Sequence, residues 1–340
     1  MSAPKRINLA LQGGGAHGAF TWGVLDRILE TDTLEIAAIT GTSAGALNGA
    51  ALKAGLVNGG REGAREALRA LWEGLGGVGD LRAVGWFRPF LPPLEVAAQI
   101  SDALMPVSPG NLATQVLSPY DWGPFWQNPM QPVVDRLDMA AVCADAGPKL
   151  FVAATNVHSG KVRVFSEAEV TPDAILASAC LPTVFRAVEI GDAHYWDGGY
   201  SGNPSLYPLY EPSLPDDILI ISINPFYRPE VPQSALEIMN RVNEISFNSA
   251  LLRDLRAVAF VKRLLADGKM TPGTMKDVLV HMISDDALMR GLSARTKMTP
   301  TPYLLDTLFQ AGRSAADRFL AQHEADIGTR GTLDLVEMFS

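Results

Sequence analysis

Apolar positions in the first half of the chain switch repeatedly between two spacings. Residues 7–12, INLALQ, and residues 36–40, IAAIT, are short and nearly continuous apolar runs, which predict buried β-strands. Between them Phe20, Val24, Leu25, Ile28 and Leu29 recur at three- and four-residue steps, the spacing of an amphipathic helix. A small-residue helix is predicted in GTSAGALNGAALKAGL, from residue 41, and another in REGAREALRALWEGL, from residue 61. Alternation of this kind predicts an α/β fold with a mostly parallel central sheet flanked by helices.

The same reading continues after an interruption. Residues 76–132 hold nine prolines between Pro89 and Pro132, together with Trp86, Phe87, Phe90, Tyr120, Trp122, Phe125 and Trp126. Such an insertion is either an irregular buried connection or a lid over an apolar substrate. KLFVAATNV and KVRVF then flank HSG as a hairpin or tight connection, and Thr171 with Pro172 marks a helix start. AHYWDGG reads as a short strand ending in a turn, and DILIISIN as a buried strand. From Ser234, which forms a capping-box spacing with Glu237, the pattern turns helical. Ile238, Val242, Ile245, Leu252, Leu255, Val258 and Val261 mark one face of that helix, Gly268 and Pro272 end it, and two further helices are predicted around residues 274–283 and 303–325. The expected organisation is a sheet-bearing unit over residues 1–230, with the insertion at about 76–132, and a helical extension over 231–340 packed on or beside it.

Composition narrows the class. With 340 residues, 47% of them hydrophobic and 19% charged, the chain is that of an ordinary globular protein. No apolar stretch reaches the ~18 residues that span a bilayer, and INLAL is too short for the core of a secretory leader, so a cytoplasmic protein is expected. The net charge of −9 argues against nucleic acid as a partner. The deficit lies wholly in residues 1–230, with 15 basic against 24 acidic, whereas residues 231–340 hold 13 of each. The C-terminal third is therefore the less repulsive part toward anionic surfaces. Cys143 and Cys180 read as reduced thiols, the five histidines include no H-x-x-x-H pair, and neither a metal nor a cofactor is expected.

Three short stretches carry candidate chemistry. In LALQGGGAHGAF, residues 9–20, Gly13, Gly15 and Gly18 fit a dinucleotide loop, but the same glycines also expose backbone N–H groups to an oxyanion. A dinucleotide site needs an acidic residue at the end of the second strand. Here Gly41, Thr42 and Ser43 stand there and Glu35 precedes the strand, which disfavours a nicotinamide-dependent oxidoreductase. GTSAG, Gly41 to Gly45, sits between a predicted strand and helix, as a nucleophile elbow does, and makes Ser43 a candidate nucleophile. A base is needed to take its proton. His281, within DVLVHMIS, reads as a core histidine, and His323 lies in a polar helix. Asp197 in WDGG follows a strand and precedes two glycines, so it caps a turn or serves as that base.

GGGAHG, GTSAG and DGG, in that order, resemble the three signatures of the patatin-like phospholipase family. The resemblance covers about residues 6–225 and extends to SPYDWGPF, ASACLPTVF and YWDGGYSGNPSL. It implies a three-layer α/β/α fold and lipid acyl hydrolysis by a Ser–Asp dyad without catalytic histidine or calcium. On that match Ser43 is the nucleophile, Asp197 the base, and Gly13, Gly14 and Gly15 the oxyanion loop. One position departs: the family loop often carries Arg or Lys where this chain has His17. The implied partner is a lipid or other ester, with a short-chain esterase, a thioesterase or a non-catalytic lipid-binding scaffold as alternatives. The C-terminal helices are expected to cover the sheet; a homodimer contact or an interfacial, lipid-surface helix is the other use open to them.

Overall fold

A computed structural model describes residues 3–77, 118–121, 127–182, 184–271 and 273–339. Most of the Pro- and aromatic-rich insertion lies outside the described residues. The sheet has eight strands: β1 Lys5–Leu11, β2 Leu34–Thr42, β3 Lys149–Asn156, β4 Val162–Ser166, β5 Val188–Ile190, β6 Ala193–Asp197, β7 Asp217–Ile221 and β8 Leu279–Ile283. Their order is β5-β6-β3-β2-β1-β7-β8, with β4 paired to β3. Strands β3, β2, β1, β7 and β8 pair in parallel, and β4, β5 and β6 run antiparallel to their neighbours.

Side-chain alternation along the strands builds the layers. Leu9 and Leu11 of β1 and Leu219 and Ile221 of β7 join one apolar core, with Ile39 of β2. Helices α1 Gly18–Leu29 and α2 Ala44–Gly76 close that core. Ala10, Ala38, Ile218 and Ile220, on the intervening positions, face a second core. The long helix Ala235–Ala266 covers it through Leu251, Leu255 and Val258. With α3 Pro172–Ser178 preceding it, this helix is α4, and α5 Pro302–His323 packs with α1 on the first face. The result is the mixed α/β, three-layer architecture expected. Within α2 the backbone leaves helical geometry at Gly59 and Gly60, so the run contains the two helices expected from the sequence.

Two sequence expectations fail here. The stretch at 274–283 is not a helix: residues 279–283 form β8, parallel to β7 from Asp217↔Leu279 to Ile221↔Ile283. A short apolar run has no periodicity that separates buried strand from buried helix, and the open edge of β7 decides the matter. In α4 the seven apolar residues do not share a face. Ile238, Val242 and Ile245 are exposed whereas Leu255 and Val258 are buried. Each three-residue step falls about 60° short of a full turn, so the later members drift around the helix onto the core.

Candidate active site

The register of β3 brings the candidate residues together. Ala154 pairs with Arg163 of β4 and also with Asp197 of β6, so β4 and β6 occupy opposite edges of β3. Strand β2 shares the edge of β6 and ends with Thr42 opposite Ala153, one position before Asp197 takes over. Ser43 therefore leaves β2 where Asp197 ends β6. A Cβ on Gly198 would lie 2.9 Å from the Thr42 side chain, which confirms how closely the two strand ends meet.

Ser43 has φ 55° and ψ −122°, a left-handed conformation that a serine adopts only under constraint. Its N–H is held by the Ser178 hydroxyl at 2.9 Å, and that hydroxyl donates in turn to the Ala153 carbonyl at 2.6 Å. The turn is tight enough that a Cβ on Gly45 would strike the Leu11 carbonyl. Helix α2 starts at Ala44, so the positive end of its dipole adjoins the serine. Ser43 as a whole is buried, at 8% exposed.

Asp197 is 1% exposed. Its N–H donates to the Cys180 carbonyl at 2.8 Å and its own carbonyl accepts the Thr155 hydroxyl at 2.8 Å, which fixes the backbone. The side-chain Oδ1 accepts the Gly199 N–H at 2.7 Å, while Oδ2 is buried without a hydrogen bond of good geometry. Burial pushes the carboxyl up to about 7, opposed by the Gly199 N–H and by the nearby Ser43 hydroxyl. A carboxylate with a spare buried oxygen and a pKa near neutrality is suited to accept a proton from that serine.

The glycine loop at the end of β1 is tied in place by side chains far along the chain. Gln12 Oε1 accepts the N–H groups of Ile223 (2.9 Å) and Asn224 (3.1 Å), and its Nε2 donates to Asn248 Oδ1 of α4 at 3.1 Å. The Gly13 N–H donates to Asn203 Oδ1 at 2.6 Å, and the Gly13 carbonyl accepts Asn224 Nδ2 at 2.9 Å. Of the three glycines named from the sequence, Gly13 thus has its amide committed inside the protein. Among the described residues nothing takes the N–H of Gly14 or Gly15. A Cβ on Gly13 would lie 2.7 Å from that of Ser43, so these free amides adjoin the serine.

His17 is buried and its pKa is held well below the usual value, first by burial and then by Lys297. Its Nε2 lies 2.7 Å from the Thr296 hydroxyl, which donates to the Ser293 carbonyl. The network therefore assigns the proton to Nε2 and leaves Nδ1 a bare, buried acceptor. The cation beside the loop is instead Lys297, from the short helix Ala294–Met298. A Cβ on Gly15 would collide with its carbonyl, and its ammonium donates to Asn224 Oδ1 at 2.6 Å. Burial brings its pKa down to about 8, with Glu244 opposing the shift and Arg228 adding to it. Sequence reasoning assigned no role to Gln12, Ser178 or Asn203, although each lies in one of the stretches that drew notice, and it missed Lys297, which lies in none of them.

The late histidines stand apart. His281 lies on β8, three strand spacings or ~14 Å from β2. It is fully buried, with Nε2 3.0 Å from Asp217 Oδ1 and Nδ1 3.1 Å from the Thr332 hydroxyl. His323, on α5, pairs with Asp326 at 3.1 Å. Substituting His281→Ala is expected to cost about 2–4 kcal/mol, because Asp217 loses a buried partner. A urea titration will show the lowered midpoint, and turnover at temperatures where the variant stays folded will match the unaltered chain.

A family model described as Patatin-like phospholipase matches residues 9–210, more than half of the chain. A search of curated proteins finds no match. Among solved structures the chain is similar to VipD from Legionella pneumophila, at 16% identity over 95% of this chain and 68% of that one, with a TM-score of 0.44. It is also similar to the heterodimeric ExoU-SpcU complex from the type III secretion system of Pseudomonas aeruginosa, at 18% identity over 98% of this chain and 74% of that one, with a TM-score of 0.31. No helix among the described residues is long and apolar enough to cross a membrane.

Proposed function

The chain belongs to the patatin-like phospholipase family, and from that premise we propose that it hydrolyses carboxylic esters of phospholipids or related lipids through Ser43 and Asp197. The observation that carries this reading is the meeting of a strained serine with a buried carboxyl of raised pKa at the abutting ends of β2 and β6.

In the first half-reaction the Asp197 carboxylate takes the Ser43 hydroxyl proton as Oγ attacks the ester carbonyl. The N–H groups of Gly14 and Gly15 hold the tetrahedral oxyanion, a contribution of ~3–4 kcal/mol for each donor. Collapse breaks the ester C–O bond, and the leaving alcohol takes the proton from Asp197. Water then gives a proton to the same carboxylate, attacks the acyl-enzyme, and releases the fatty acid as Ser43 recovers its hydrogen. A fluorophosphonate probe is expected to label the protein, with fatty acid released from phospholipid vesicles and from p-nitrophenyl esters of increasing chain length. Absence of both labelling and turnover would make the chain a scaffold that has kept the fold.

Lys297 supports the oxyanion electrostatically in this scheme. Its charge lies against a loop where His17 is neutral. Lys297→Met is expected to lower kcat about tenfold, which is about 1.4 kcal/mol, with KM little changed. The pH profile supplies a second readout: the ammonium loses its charge as pH rises through about 8, so activity falls there and the methionine variant lacks that alkaline limb.

A further inference from the structure

We propose that the outward stripe of α4 docks on an anionic phospholipid surface. Ile238, Met239, Val242 and Ile245 are all exposed, with Val242 59% accessible. At 100° per residue they fall within about 120° of arc, opposite the face that Phe247, Leu251 and Leu255 bury in the protein. Exposed apolar side chains so aligned on one helix form a continuous patch, which marks an interaction site rather than scattered surface hydrophobes. Farther along the helix the same arc carries Arg253, Arg256, Phe260 and Arg263, all exposed.

The charge pattern selects the partner. Between Ile238 and Arg263 the arc holds no acidic residue, although the chain as a whole carries a net −9. Arg256 lies over the Phe339 ring at 5.0 Å and Arg263 over Phe260 at 5.4 Å. Among the described residues none of the three arginines makes a salt bridge. A second copy of this chain, packed stripe against stripe, would bring another acid-free stripe and set arginines against arginines. A lipid surface supplies both requirements, with acyl chains for the apolar end and phosphates for the guanidiniums.

The inner face of the same helix reaches the catalytic region. A Cβ on Gly199 would lie 2.9 Å from the Phe247 ring, Tyr200 meets that ring edge-on at 5.4 Å, and Asn248 holds Gln12. Docking of the stripe therefore places the proposed site about one helix diameter, ~10 Å, from the lipid. This inference rests on the lipid-hydrolase reading for its purpose, but its test does not depend on turnover.

The experiment is flotation of the full chain with vesicles of phosphatidylcholine alone or mixed with phosphatidylglycerol. The expected result is at least about tenfold stronger partitioning to the mixed vesicles, weakened by salt. Both the triple variant I238S, V242S, I245S and the triple variant R253Q, R256Q, R263Q should lose about tenfold of that partitioning. The thermal melting temperature in the absence of lipid serves as the folding control and should be unchanged in both, as should fluorophosphonate labelling. Docking is overturned if the unaltered chain stays with the unbound fraction, or if the variants float equally well. A concentration-dependent dimer abolished by the serine variant would also overturn it and assign the stripe to a second copy. Loss of labelling in the unaltered chain, by contrast, would count against the hydrolase reading and leave the docking result standing.

Discussion

Replacing Ser43 with alanine is expected to abolish fluorophosphonate labelling and to lower ester hydrolysis about 10⁴-fold or more, the scale seen when an acyl-transfer nucleophile is removed. The substitution deletes only the hydroxyl. The Ser43 N–H still reaches Ser178 Oγ, and the strained backbone is unchanged because alanine meets the same steric limits at φ 55°. Thermal stability should therefore stay close to that of the unaltered chain. Ser43→Gly is the companion variant, since glycine occupies that backbone region without penalty. It should be equally inactive yet more stable by about 1 kcal/mol, read as a higher Tm. Residual labelling of Ser43→Ala would move the nucleophile elsewhere. A destabilised glycine variant would show that the elbow is not strained.

The residues that could be read from the sequence are those whose chemistry needs a local backbone shape. Ser43 requires small neighbours at Gly41 and Gly45, because Cβ atoms there would enter the Gly45 backbone and the Leu11 carbonyl, and so it announces itself as GTSAG. The glycines around residue 14 and the pair after Asp197 are visible for the same reason. What remained hidden converges through sheet order. Strands β1 and β7 are neighbours in space, so Gln12 meets Ile223 and Asn224, more than 200 residues away, and Gly13 meets Asn203 across 190. Nothing local to these residues requires their partners. Lys297 is an extreme case, a lysine in the unremarkable run SARTKM whose position depends on how the C-terminal third returns over the glycine loop. The α4 stripe was obscured by a different effect. Two apolar faces on one helix blur its periodicity, and only burial separates Ile238 and Val242 from Leu255 and Val258.

Asp197→Asn is expected to remove turnover as thoroughly as the serine variant while making the protein more stable at neutral and alkaline pH. Asparagine can still accept the Gly199 N–H, so the strand end keeps its hydrogen bond, but it cannot take the Ser43 proton. The stability gain follows from proton linkage. In the folded chain burial raises the Asp197 carboxyl from 3.8 to about 7, so between those values the native state binds more protons than the unfolded state. Stability then falls as pH rises through that window, by ~1.4 kcal/mol per pH unit, and levels off once the native carboxyl is also ionised. The full loss is on the order of a few kcal/mol. The asparagine side chain carries no such ionisation. Urea midpoints of the two proteins should differ least near pH 4, and the aspartate form should fall progressively behind up to about pH 7. The same ionisation sets the acid limb of activity, because only the carboxylate can act as base; kcat/KM should rise with pH through about 7. A carboxyl buried without function would show the stability trend alone. Coincidence of the kinetic midpoint with the end of the stability trend assigns both to Asp197. An activity that is flat between pH 5 and 8, or an active asparagine variant, would remove Asp197 as the base.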